Sequence, residues 1–275
     1  MTRYYRRNTD KFIRFGENDA YPAIHIALWP EGVESVEAAL AVAHDLVVEA
    51  IEAHDGPVHR VVDLGCGMGA GLLHLAERLD SAIALDGLTL GTPPPAKTHG
   101  AWGRVRIQQA DFHRADEAVS ASSVAFCIEA MAHSDDLDSF MASAARMLDS
   151  GGRLIVIDDF AESEAPPSRW LSTYRAHWLV PGVRPASEVE RIAQCHGLRL
   201  VSNRDLTPWI HLGRPRDRLL RWTRPLWGWL SRWSDYVKSL SGGDARQRCL
   251  ASGETRFRMM QFINDPASDG SRTAP

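Results

Sequence analysis

The chain contains no apolar run near the ~18 residues needed to cross a bilayer. Its opening stretch, MTRYYRRNTD, holds no hydrophobic signal core. Cysteine is scarce: the four, at 66, 127, 195 and 249, form no Cys-x-x-Cys pair. That spacing suits reduced cytosolic thiols better than a disulfide framework. The eleven histidines form no metal set, because His54 and His59 lack companion ligands, so no metal is expected. Gly-x-Ser-x-Gly and P-loop patterns are also missing, as are internal repeats and any nucleic-acid module. What remains is 275 residues of ordinary composition, 44% hydrophobic and 24% charged. Those values fit one large globular domain, or one domain with an added lid, and exclude disordered and coiled-coil classes.

Net charge is −4, but it is unevenly placed. Residues 1–14 carry Arg3, Arg6, Arg7, Lys11 and Arg14 against Asp10, a net of +4. Residues 214–232 carry six arginines against Asp217, a net of +5, which leaves −13 for the remainder. Two cationic ends therefore frame an acidic middle. A protein that coats nucleic acid needs more positive charge overall, whereas a local anion site remains compatible with this pattern.

Residues 35–53 are rich in helix formers with apolar positions at helical spacing, which predicts a helix. A strand over 58–63 leads into glycine-rich residues 65–71 and then an amphipathic stretch from Leu72 to Leu79. Strand, glycine loop and helix form the opening unit of a doubly wound α/β fold. Further strands are expected at 81–85, 104–109, 123–128, 154–157, 198–202 and 257–263. Helices are expected from Leu137 to a stop at Gly151-Gly152, near 168–180 and over 187–196. Alternation of this kind implies a Rossmann-like, mostly parallel sheet.

The strongest signal is VVDLGCGMGAG, residues 61–71. Glycines between a first strand and first helix let a ligand approach the backbone closely. As Gly-x-Gly-x-x-Ala the segment is a weak dinucleotide fingerprint, so its flanks must decide. Asp63 stands at the carboxyl end of the strand, where a carboxylate opposes a pyrophosphate but suits the ammonium of an amino-acid ligand.

This segment resembles motif I of the class I S-adenosylmethionine-dependent methyltransferases. The resemblance implies S-adenosyl-L-methionine as cofactor, with Gly65, Cys66, Gly67 and Gly69 shaping the loop around its methionine moiety and Asp63 binding its amino group. The second strand, continuing through Asp86, Gly87, Leu88 and Thr89, should supply the ribose contact, for which Thr89 and Asp86 are both candidates. Gly-Leu-Thr-Leu resembles the sterol, tocopherol, prenyl-diphosphate and fatty-acyl C-methyltransferase branch, although Gly91 and three prolines follow it where that branch has other residues. Ala110-Asp111-Phe112 resembles the adenine site, with Asp111 accepting from the exocyclic amine and Phe112 packing on the ring.

After the fourth strand, IEAMAHSDDL (128–137) looks like the corresponding segment of sterol C-methyltransferases, and that likeness makes Glu129 and His133 the catalytic candidates. An alkene that attacks a sulfonium methyl becomes a carbocation, which a carboxylate can stabilise and deprotonate. An oxygen nucleophile would need a base instead, and His133 could serve. The N-terminal region resembles the cover of the substrate pocket in the same branch. Tyr5, Phe15, His25 and Trp178 are the pocket candidates.

Residues 209–233 hold five of the nine tryptophans beside the arginine cluster. That combination suits an interfacial helix on an anionic membrane, a lid around an amphiphilic substrate, or a plain structural cap. The organisation expected is an N-terminal helical cover over 1–55, a methyltransferase domain over 56–263 with a lid insertion at 205–240, and a flexible tail over 264–275. The resemblance implies C-methylation of an apolar isoprenoid acceptor. O- or N-methylation of a natural product is the alternative, and a degenerate binding protein with the same fold is a third reading.

Overall fold

The computed structural model describes residues 25–94, 100–213 and 234–265. Tyr5, Phe15, both arginine-rich ends, most of the expected lid and nearly all of the expected tail lie outside these residues.

Seven strands form one sheet in the order β3-β2-β1-β4-β5-β7-β6. They are β1 (Arg60–Leu64), β2 (Ala84–Thr89), β3 (Val105–Gln109), β4 (Ser122–Ile128), β5 (Leu148–Ala161), β6 (Leu198–Asp205) and β7 (Thr255–Asn264). The first five run parallel, and β7 lies antiparallel between β5 and β6. This is the expected doubly wound sheet with an antiparallel last strand. The central strands are buried on both faces, so β1 and β4 read as continuous apolar runs and not as alternating ones.

The helices are α1 (Val36–Glu52), α2 (Ala70–Arg78), α3 (Ala115–Ala118), α4 (Leu137–Met147), α5 (Arg169–Trp178), α6 (Ala186–Cys195) and α7 (Asp235–Ser252). Local chemistry sets their starts. Ser35 caps α1 by accepting from the Ala38 amide, and Asp136 caps α4 by accepting from Ser139. Ser168 accepts from the Trp170 and Leu171 amides at the start of α5, and Glu254 holds Ser168 in place at 2.6 Å.

Two sequence expectations are corrected. The second strand starts at Ala84 and not at Ser81, because Asp80 folds residues 80–83 into a turn by accepting from the Ala82 and Ile83 amides. The helix from Leu137 ends at Met147, before Gly151-Gly152. Those glycines lie inside β5 at its irregular pairing with β4, where a Cβ on Gly152 would meet the Asp149 carbonyl oxygen at 2.8 Å.

Two apolar clusters fill the opposite faces of the sheet. One contains Phe112, Phe140, Met141 and Val189, and the other contains Leu46, Val47, Leu72 and Leu250. The described edges of the expected cover and lid meet. Trp29 donates its amide to the Trp209 carbonyl at 2.7 Å and stacks on His211 with ring centroids 5.0 Å apart.

Candidate active site

The loop after β1 turns through three left-handed glycines, with φ of +99° at Gly65, +54° at Gly67 and +83° at Gly69. Substitution fails at Gly65 and Gly69 on two counts. The backbone region disfavours L side chains, and a Cβ would meet Ala130 at 2.6 Å or Ile107 at 2.5 Å. Gly69 caps α2 without a side-chain bond, so the first amides of that helix face the loop. The Leu88 carbonyl accepts from both Gly65 and Cys66 amides at 2.9 Å, which ties the loop to β2. Cys66 Sγ lies over Gly87, where a Cβ would meet it at 2.7 Å. Cys66 is thus a space-filling residue, and burial raises its thiol pKa well above the ordinary value.

Asp63 is buried at the end of β1, and burial alone pushes its carboxyl up to about 8. A buried carboxylate in this state gains from a cationic ligand. The ammonium and sulfonium of S-adenosylmethionine match it, and open space at Gly67 permits close approach. The residues present fit that cofactor.

The structure separates the two ribose candidates. Asp86 is the third residue of β2 and pairs with Arg60 at 3.2 Å near the strand's start, whereas Thr89 ends the strand beside the loop. Asp111 caps the turn after β3 by accepting from the His113 amide, and its carboxylate also holds His113 Nδ1 at 2.7 Å. Phe112 is buried edge-on against Phe140 with centroids 5.2 Å apart.

Beyond β4 the chain makes a strained turn, with Glu129 at φ +49°. A non-glycine residue in that region costs roughly 1–3 kcal/mol and requires support from its surroundings. Here the Glu129 amide donates to the Ile157 carbonyl at 2.8 Å, and Glu129 Oε1 accepts from the Ile26 amide and from Arg246 Nη2, each at 2.9 Å. Arg246 also pairs through Nε with Asp159 Oδ2 at 2.6 Å, and Tyr174 donates its hydroxyl to that same oxygen at 2.6 Å. Burial raises the carboxyl pKa of Glu129, but the charges of Arg246 and His25 outweigh it and the net shift is downward. For Asp159 burial wins and the shift is upward. Asp158 is pushed to about 8 by burial, and it accepts from the Ala132 and Asp159 amides.

Four pocket or catalytic candidates converge here. His25 precedes the residue that holds Glu129. His133 donates from Nδ1 to the Leu179 carbonyl at 2.9 Å, and burial lowers its pKa despite the nearby Glu129 charge. Trp178 lies over Arg246 at 5.5 Å and donates to the Ser239 carbonyl at 2.9 Å. Sequence reasoning missed Arg246, Asp159 and Tyr174. The Asp158-Asp159 pair at the end of an apolar strand was a usable signal, because buried carboxylates need a partner. Arg246, in an otherwise ordinary helix, carried none.

A family model described as a methyltransferase domain matches residues 62–156, the span that contains the glycine loop, Asp111 and Glu129. The chain is an S-adenosylmethionine-dependent methyltransferase. O-methyltransferase rstn1 of Aspergillus nomiae is 22% identical over 191 residues, covering 66% of this methyltransferase and 83% of the relative. Sterol 4-C-methyltransferase strm-1 of Caenorhabditis elegans is 27% identical over 185 residues, covering 63% and 54%. The crystal structure of geranyl diphosphate C-methyltransferase from Streptomyces coelicolor, in complex with Mg2+, geranyl diphosphate and S-adenosyl-L-homocysteine, superposes with a TM-score of 0.66. It covers 94% of this chain and 97% of its own at 17% identity, a likeness of fold.

Proposed function

We propose that this methyltransferase transfers a methyl group to carbon of an apolar, isoprenoid-type small molecule. The observation that carries this reading is the buried group at the end of β4 and β5, where two carboxylates, Glu129 and Asp159, share the single guanidinium of Arg246. Such a group has a deficit of positive charge, and a reacting centre that becomes cationic fills it. When bound, S-adenosylmethionine supplies an electrophilic methyl group from its sulfonium. Asp63 and the glycine loop would hold its methionine end, Thr89 the ribose and Asp111 the adenine side. Glu129 stays ionised at neutral pH, lowers the energy of an acceptor carbocation and takes the proton that ends the reaction. Trp178, already over Arg246, offers an aromatic face without a nucleophile. The sterol and geranyl diphosphate enzymes among the similar proteins support this acceptor class.

A second reading, O-methylation, rests on one observation. The bond from His133 Nδ1 to Leu179 fixes the tautomer and puts the lone pair on Nε2, where a hydroxyl could be deprotonated. The O-methyltransferase relatives favour it. Turnover with methyl-13C cofactor against separate panels of prenyl and phenolic acceptors distinguishes the two. A product methyl bonded to carbon by NMR supports the proposal, and a methoxy signal with the phenolic panel alone overturns it. Loss of activity in His133→Gln but not in Glu129→Gln would also point to oxygen.

A further inference from the structure

In the proposed cofactor arrangement Asp111 serves the adenine side, and its carboxylate is held by more than a turn requires. Its Oδ1 accepts from the His113 amide at 3.0 Å, which alone caps the turn after β3. The same oxygen also takes the His113 ring, with Nδ1 at 2.7 Å. A carboxylate only accepts, so Nδ1 donates, and in the neutral ring Nε2 carries the lone pair. That Nε2 lies 2.8 Å from Ser134 Oγ. Ser134 Oγ itself accepts from the Asp136 amide at 3.2 Å, which leaves the hydroxyl hydrogen for the ring. The His113 ring also meets Phe112 edge-on, with centroids 4.7 Å apart.

Asp111, His113 and Ser134 are thus joined in the order of a hydrolytic triad, but the arrangement does not suit a nucleophile. Ser134 is 1% exposed, so no substrate carbonyl reaches its oxygen. The open end is Asp111, whose side chain is 45% exposed, while that of His113 is 19% exposed. Both protein donors go to Oδ1, and among the described residues none reaches Oδ2. One carboxylate oxygen is fixed by the protein, and the other is left to accept from a ligand. A chain of bonds that starts at a buried hydroxyl and ends at an exposed acceptor has the form of a brace for a polar contact.

We propose that His113, anchored by Ser134, is a positioning residue that holds Asp111 for the exocyclic amine of adenine and makes the enzyme selective for a 6-aminopurine over a 6-oxopurine cofactor. The proposal rests on the assignment of Asp111 to adenine. Asp111 Oδ2 accepts from the amine. A 6-oxopurine offers a carbonyl oxygen at that position, so two acceptors face each other. A carboxylate free to turn avoids that clash or takes the neighbouring ring N–H, so selectivity depends on its being held. Sites built to bond an N–H reject analogues that lack it far more strongly than apolar pockets reject a changed methylene.

The test is a ratio of affinities, measured by calorimetry on the full chain with S-adenosyl-L-homocysteine and S-inosyl-L-homocysteine. The unmodified protein should prefer the adenosyl compound by at least about a hundredfold. His113→Phe fills the space but cannot donate, and should cut that preference by at least about tenfold. His113→Asn is smaller but keeps a donor for Oδ1, and should retain most of the preference. A packing role predicts the opposite order, so any pattern other than loss with Phe and retention with Asn overturns the proposal. If His113→Phe does not fold, Ser134→Ala removes the anchor of the ring and carries the test: a lowered ratio supports the brace, and an unchanged one overturns it. Asp111→Ala reads the underlying assignment separately. An unchanged ratio there removes Asp111 from the adenine, whereas a ratio lost there but kept in His113→Phe removes only the positioning role.

Discussion

Arg246 donates to Glu129 across 117 residues of sequence, joining the helix before the last strand to the turn after β4. The Arg246 side chain is 6% exposed and also meets Asp159, which is 1% exposed, so only the Glu129 end of the ion group, at 16%, reaches solvent. Desolvation would lower the Arg246 pKa, but the charges of Asp159 and Glu129 raise it well above its ordinary value. Removing one member of such a group leaves uncompensated buried charge. Arg246→Met should therefore cost about 3–5 kcal/mol of stability in urea titration. Adding Glu129→Gln to that variant should recover part of the loss, because the uncompensated charge falls.

Cofactor binding should be linked to ionisation of Asp63. Burial holds this carboxyl near 8, so at pH 6–7.5 the unliganded protein keeps its proton while an unfolded chain would lose it. A folded-state pKa above the unfolded value means that this group's stabilising contribution is present below about pH 4 and is lost as pH rises toward 8. A cationic ligand selects the ionised form. The affinity for S-adenosylmethionine should thus rise with pH, by about tenfold per unit between pH 6 and 7.5 if one proton is released. Calorimetry in buffers of different ionisation enthalpy counts that proton, and Asp63→Asn should abolish the slope.

Gly242 is required by packing. A Cβ there would run into the Trp178 indole, whose Nε1 would lie 2.5 Å away, so α5 and α7 can approach only because position 242 has no side chain. Gly242→Ala should cost about 1–3 kcal/mol through overpacking. It should also displace Trp178 from Arg246, and a shift in tryptophan fluorescence would report that movement alongside the thermal midpoint.

Much of this site was legible in the sequence, for identifiable reasons. Gly65, Gly67, Gly69 and Asp63 adjoin one another, so backbone requirement and ligand chemistry appear together in a single short segment. Glu129 and His133 could be placed because a buried strand ends just before them. The partners of Glu129 were not legible. Ile26, Asp159, Tyr174 and Arg246 come from four separate parts of the chain, and only the folded sheet brings them together. Asp86 illustrates a different limit. The sequence left Asp86 and Thr89 as alternatives for the ribose contact, and only the fold shows that Asp86 pairs with Arg60 near the start of β2 while Thr89 ends the strand.

Glu129→Gln tests the central claim most directly, with cofactor affinity and single-turnover methyl transfer measured on the same preparation. Glu129 bonds to Ile26 and Arg246 and not to the Asp63 loop, so S-adenosylmethionine should bind within about twofold of the unmodified protein. Transfer to the prenyl acceptor should fall by at least about a hundredfold, the scale of a lost general base. Normal binding with an unchanged transfer rate would contradict the role of Glu129 and the carbon-methylation account built on it.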